Sequence, residues 1–172
     1  MPSVVIDAQV IVGFATESGG HHHQLSGSPT GLLDLITASR VPVCLDNEMR
    51  LESEWRRGCD PDWFDDWFLS FASNANVAYV PLDNCRALLR YLRTQCQFPR
   101  SADAVVVATA VSAAVKYESC VVVTEDLDFY EPKAKGLGAA TRQAYFRGAM
   151  VGSVQSYLKK KVAVVVKAVA MY

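Results

Sequence analysis

Four acidic residues, Asp7, Glu52, Asp103 and Asp126, are spaced along the chain so that a parallel sheet would gather them. Asp7 ends the apolar run Val4-Val5-Ile6. Asp126 closely follows another, Val121-Val122-Val123-Thr124. If these runs are neighbouring parallel strands, both carboxylates emerge at one edge, where open α/β sheets build their sites. Several carboxylates in one small pocket repel each other, and hard divalent cations such as Mg2+ or Mn2+ relieve that repulsion.

Asp103 opens a helix that feeds the fourth strand, so it starts near the same edge. Glu52 lies in the second turn after the second strand, on a stripe with Met49 and Trp55 that is otherwise apolar. A lone carboxylate there needs a partner, and a metal supplies one. Glu48, one turn earlier on nearly the same face, is the alternative second acid, and Glu54 is close by; spacing to the strand favours Glu52. Taken singly, each acid also has a structural reading. Asp7 suits a helix cap, Glu52 a solvated helix face, Asp103 the positive end of a helix dipole and Asp126 a turn. The chemical reading rests on the four together.

The elements that must position them follow from periodicity and turn chemistry. Val4–Ile6, Val41–Leu45, Val77–Val80 and Val121–Thr124 read as short buried strands. Helices are expected over Ala8–Thr16, from Leu32, over Glu48–Arg57 behind an Asp46 cap, from Asp60-Pro61, after Asp83, over Ala102–Tyr117 behind a Ser101 cap, and from a Ser153 cap to Lys161. A short fifth strand is expected around Met150, and Val162–Tyr172 suits strand or buried helix equally. The segment from Glu17 to Gly31 reads as a surface loop. Strands alternating with helices point to an α/β fold, a three-layer sandwich with a mostly parallel central sheet flanked by helices. At 172 residues, with 51% apolar and 20% charged residues, the chain reads as one domain, with 149–172 the least defined part.

A net charge of −1 gives no global pull toward nucleic acid, so any such site must come from local basic clusters. Arg100, close in sequence to Asp103, is the favoured phosphate contact. Lys159-Lys160-Lys161 is expected to close a helix, where cations suit the dipole. His21-His22-His23 cannot easily face one ion together and sits in the loop segment. Trp63, Phe64, Trp67, Phe68 and Phe71 share a helix face that reads as core or dimer interface rather than a base-stacking platform. Five cysteines, an odd number with no close pair, imply reduced thiols in a cytoplasmic protein. No leader and no membrane span is expected.

Four segments resemble the PIN domain, a metal-dependent ribonuclease family. They are Val4-Val5-Ile6-Asp7-Ala8-Gln9, Val43-Cys44-Leu45-Asp46 through Glu52, Ala102-Asp103-Ala104-Val105-Val106-Val107-Ala108-Thr109-Ala110, and Val122-Val123-Thr124-Glu125-Asp126-Leu127-Asp128-Phe129. The resemblance covers about the first three quarters of the chain. It implies an endoribonuclease in which Asp7, Glu52, Asp103 and Asp126 hold one or two Mg2+ or Mn2+ ions, with Thr124, Asp128 and Gln9 in support. It also implies an RNA substrate, homo-oligomerisation, and a role as the toxin of a toxin–antitoxin pair whose antitoxin protein masks the site. Gln9 stands where the family has asparagine. That departure keeps open a second reading, a catalytically silent RNA-binding or assembly module.

Overall fold

The computed structural model describes residues 2–20, 25–82, 85–101 and 103–172. His21, His22, His23, the helix cap expected at Asp83 and the expected helix start at Ala102 lie outside the described residues.

The sheet has five strands: β1 (Ser3–Ile6), β2 (Pro42–Asp46), β3 (Asn76–Val80), β4 (Cys120–Val123) and β5 (Val164–Lys167). Their spatial order is β3-β2-β1-β4-β5, and every pairing is parallel. Among the described residues, eight helices connect or flank them: α1 (Ala8–Ser18), α2 (Pro29–Ser39), α3 (Arg50–Arg57), α4 (Pro61–Asn74), α5 (Arg86–Cys96), α6 (Asp103–Tyr117), α7 (Ala139–Phe146) and α8 (Ser153–Val162). The fold is the expected three-layer α/β sandwich. A parallel sheet covered on both faces needs strands that are apolar throughout, which is why β1 and β4 read as valine runs rather than alternations. All four residues of β1 are fully buried. Helix α6 is apolar nearly all round because it lies along the sheet and meets all five strands.

Strand order reverses at the centre. From β1 the chain builds outward through β2 and β3, then returns to lay β4 on the other side of β1. The crevice beyond the carboxyl ends of β1 and β4 is therefore the switch point of the sheet. Register fixes its level, because Ile6 pairs with Val123, so Asp7 and Thr124 leave the sheet side by side.

Two expectations about the frame are corrected. Residues around Met150 form no strand; Met150 and Val151 are exposed, and Gly152 sits at the N-cap of α8 in place of Ser153. The fifth strand is Val164–Lys167 instead, where a half-buried alternation pairs with β4. Helix α3 begins at Arg50, not Glu48. Asp46 caps it as expected, but from the last position of β2, accepting Arg50 N at 2.9 Å and Leu51 N at 2.8 Å across a tight turn. Met49 takes a left-handed conformation, φ 58°, to make that turn.

The aromatic face of α4 is core. Trp67 stacks on Trp63 and Phe71 and tilts against Phe14, Trp55 and Phe64. Fully buried Trp55 donates Nε1–H to Ile6 O at 2.9 Å, tying α3 to the end of β1 beside Asp7. No disulfide joins the cysteines among the described residues. No helix among the described residues is long and apolar enough to cross a membrane.

The stretch after β4 is clamped by the start of α8. Val154 N donates to Tyr130 O at 3.1 Å, and Ser153 N to Glu131 Oε2 at 3.0 Å. A Cβ on Gly152 would lie 1.9 Å from Tyr130 O and 2.2 Å from its carbonyl carbon, so only glycine fits. Gly152→Ala should therefore lower unfolding free energy by about 3 kcal/mol, read from urea denaturation, because backbone rather than a flexible side chain must move.

Candidate acidic site at the switch point of the sheet

Asp7 is 7% exposed. It precedes α1, yet its carboxylate makes no cap hydrogen bond to that helix. Its backbone N donates to Val123 O at 3.0 Å, and its Oδ2 accepts from Thr124 Oγ1 at 2.6 Å and from Gln9 Nε2 at 3.2 Å. Oδ1 accepts no hydrogen bond among the described residues. Gln9 thus reaches the first acid with its amide, one methylene longer than asparagine would supply. The fully buried Thr124 hydroxyl also accepts from Asp126 N at 3.1 Å, so one side chain orients two acids.

Asp126 leaves β4 through an extended residue and caps a single 3-10 turn, accepting Asp128 N on Oδ1 at 3.0 Å. That turn carries buried Asp128 back under the same edge. Asp103 is the first residue of α6. Its Oδ2 accepts from Ser101 Oγ at 2.7 Å, and its N–H donates to the same hydroxyl at 3.3 Å. Carboxylate oxygens of Asp103, Asp126 and Asp128 all lie within 4.8 Å of one another. Two distant stretches of sequence, the start of α6 and the turn after β4, therefore meet at one place.

The structure separates the three glutamates of this segment. Glu48 sits in the turn before α3 and pairs with Arg50 at 2.7 Å, away from the site. Glu52 faces the β3 side, where Tyr79 donates its hydroxyl to Oε2 at 3.2 Å. Glu54 shares a small hollow of about 100 Å3 with Asp7, Asp103 and Leu51. It also pairs with Arg57 at 2.9 Å. Among the three glutamates on this segment, Glu54 is the acid that the structure brings to Asp7 and Asp103. Arg100 is exposed and makes no hydrogen bond or ion pair among the described residues.

Burial first, and neighbouring carboxylates second, raise the carboxyl groups of the site. Burial pushes the Asp7 carboxyl up to about 6; the Thr124 hydroxyl and Gln9 amide oppose the rise, and Asp103 and Asp126 add to it. Asp103 is raised by burial, lowered by Ser101, and raised again by Asp126 and Asp128. Asp128 is raised by burial and by Asp126, against the pull of Lys135. These are the shifts expected where carboxylates crowd without enough positive charge.

Two residues escaped the sequence reading. Lys135 reaches into the cluster, forming an ion pair with Asp128 and lying 3.5 Å from Asp126 Oδ1. It follows a 3-10 turn at Pro132–Ala134, outside any periodic element, so spacing gave no cue. Glu125, next to Asp126, points the other way. It is 1% exposed and accepts Ser26 N at 2.8 Å and Val169 N at 3.2 Å. It anchors the loop before α2 and the segment after β5 to the end of β4.

Comparisons with family models, with curated proteins and with solved structures find no match to this chain.

The Asp7 shift has a stability consequence. Its folded pKa lies above the unfolded value of 3.8, so the folded state holds the proton more tightly. Its contribution is fully present below about pH 4 and declines by roughly 3 kcal/mol as pH rises through about 6. In metal-free protein, Asp7→Asn should remove that slope and be more stable than wild type near neutral pH, by up to about 3 kcal/mol. Urea denaturation at both ends of the window checks this; equal stability near neutral pH refutes the buried, strained carboxylate.

Proposed function

We propose that the chain is a PIN-like, metal-dependent endoribonuclease that hydrolyses RNA phosphodiesters. The observation that carries this reading is the convergence of Asp7, Asp103 and Asp126 at the sheet switch point, with Glu54 and Asp128 beside them. The donor chemistry fits a hard divalent ion such as Mg2+ or Mn2+: every candidate ligand is a carboxylate oxygen, and among the described residues no soft or nitrogen donor lines the hollow. An ammonium group already pairs with two of these carboxylates, which supports their capacity to hold a cation.

Asp7, Glu54, Asp103 and Asp126 are the residues assigned to hold the metal. When bound, a divalent ion supplies a more acidic water for attack and neutralises charge on the phosphodiester. Thr124 and Gln9 hold Asp7 Oδ2 and leave Oδ1 free to face the ion. Thr124 also fixes the backbone at Asp126, so one hydroxyl positions ligands from β1 and β4 together. Ser101 does the same for Asp103. Asp128 turns the segment that carries Asp126. The cleft beside Asp126 offers Lys135 and Arg142 as phosphate contacts, alongside Gln9.

The role as a toxin held in check by an antitoxin protein, with homo-oligomerisation, belongs to the same proposal. Growth arrest on expression in a bacterial host, relieved by Asp103→Asn, tests it.

Cleavage of a mixed RNA pool should require Mg2+ or Mn2+, stop with EDTA, and fall at least about a hundredfold in Asp103→Asn with the fold intact by circular dichroism. A chain that binds RNA but never cuts it with Mn2+ present is the silent module instead. The assignment of the second acid is tested by a pair of variants. Glu54→Gln should lose about tenfold or more in cleavage rate, whereas Glu52→Gln should stay within about twofold of wild type.

A further inference from the structure

Lys135 occupies an unusual position. Its ammonium pairs with Asp128 Oδ2 and approaches Asp126 Oδ1 at 3.5 Å, inside the group of carboxylates whose oxygens lie within 4.8 Å of one another. The same side chain lines a cleft of about 560 Å3 that runs past Asp126 to Arg142. Arg142 is exposed, donates to Glu125 O at 3.1 Å and pairs with no carboxylate among the described residues. Gly136 and Gly138, both at positive φ, follow Lys135 in the wall of the cleft, and a Cβ on either would meet no atom within 4 Å. The lysine side chain is 52% exposed, so water already competes for its ammonium and the ion pair is a weak hold.

An ammonium and a divalent ion cannot share these oxygens without strong repulsion. Resting on the proposed metal-dependent reading, we propose that Lys135 is a built-in counter-ion that is anchored on Asp128 and competes with the divalent cation for Asp126. Without metal, Lys135 neutralises the two acids on the β4 side of the site. Metal entry displaces it from Asp126, and the open cleft gives the ammonium room beside Arg142. Asp7 and Asp103 make no hydrogen bond to Lys135; their partners are Thr124 and Gln9 for Asp7 and Ser101 for Asp103.

The test is direct Mn2+ binding to the full chain, followed by electron paramagnetic resonance of free Mn2+, with no RNA present. The binding that counts is the part lost in Asp126→Asn. Lys135→Met should tighten that binding by about two- to fivefold, since an ion pair of this exposure is removed as competitor. Lys135→Arg keeps the charge and should leave affinity at or below the wild-type level. A thermal melt confirms that each variant folds. Site-specific Mn2+ binding that is equal or weaker in Lys135→Met overturns the counter-ion role and leaves the metal-dependent reading standing. If neither wild type nor Lys135→Met binds Mn2+ at the site, the metal-dependent reading fails, and the counter-ion proposal falls with it.

Discussion

The hydrogen bond from Thr124 to Asp7 is the constraint on which the site depends. It joins the ends of two central strands that are 117 residues apart in sequence. The parallel register of β1 and β4 puts the two residues level, and a 2.6 Å contact follows. In a buried setting the hydroxyl offers Asp7 part of the solvation that water would have given. It does not offer enough, and the carboxyl remains raised. The surroundings therefore keep a carboxylate where ionisation is costly, next to other acids that make it costlier still. A fold selected for stability alone has a simpler solution, an apolar residue of similar size.

The architecture around that bond is economical. β1 supplies the first acid, the start of α6 the third, and the turn after β4 the fourth and its neighbour Asp128. Helix α6 lies along the sheet, so its first residue is held at the edge by the packing of the helix body. Trp55 fixes α3 against β1 through the Ile6 carbonyl, and this brings Glu54 into the hollow with Asp7. Tyr130, its hydroxyl donating to Thr124 O at 3.0 Å, supports the same corner from beneath. Each ligand candidate thus rides on a rigid element, and the connecting segments are tied by Glu125, Ser101 and the start of α8.

Much of this was legible in the residues. Valine runs ending in Asp7 and shortly before Asp126 encode two buried parallel strands with acids at their exits, and the structure places both as expected. The apolar girth of Val105–Ala114 correctly marked a central helix. Which glutamate of this segment lies beside Asp7 was not legible, for a reason of helix geometry. Glu52 and Glu54 flank the buried stripe of Leu51 and Trp55 on opposite sides. Periodicity shows that both border the core, but only the direction in which α3 leaves β2 decides which one meets Asp7. That direction comes from Asp46 capping the helix from inside the strand and from Met49 turning left-handed, a local rule the spacing does not reveal. β5 was missed for a different reason. Its valines suit strand or buried helix equally, and only the vacant edge of β4 selects the strand. Lys135 lies in irregular backbone, where no period exists to be read.

Sequence separation also governs when the acids can meet. β1 can pair with β2 early, across a modest loop, but it waits for β4 until two thirds of the polypeptide has been made, and Glu125 finds Val169 later still. Closing contacts of such long range are entropically slow. A half-synthesised polypeptide therefore holds Asp7 and Glu54 without Asp103 or Asp126. Whatever the assembled hollow does, it begins only after the turn beyond β4 has been made and brought level with the end of β1.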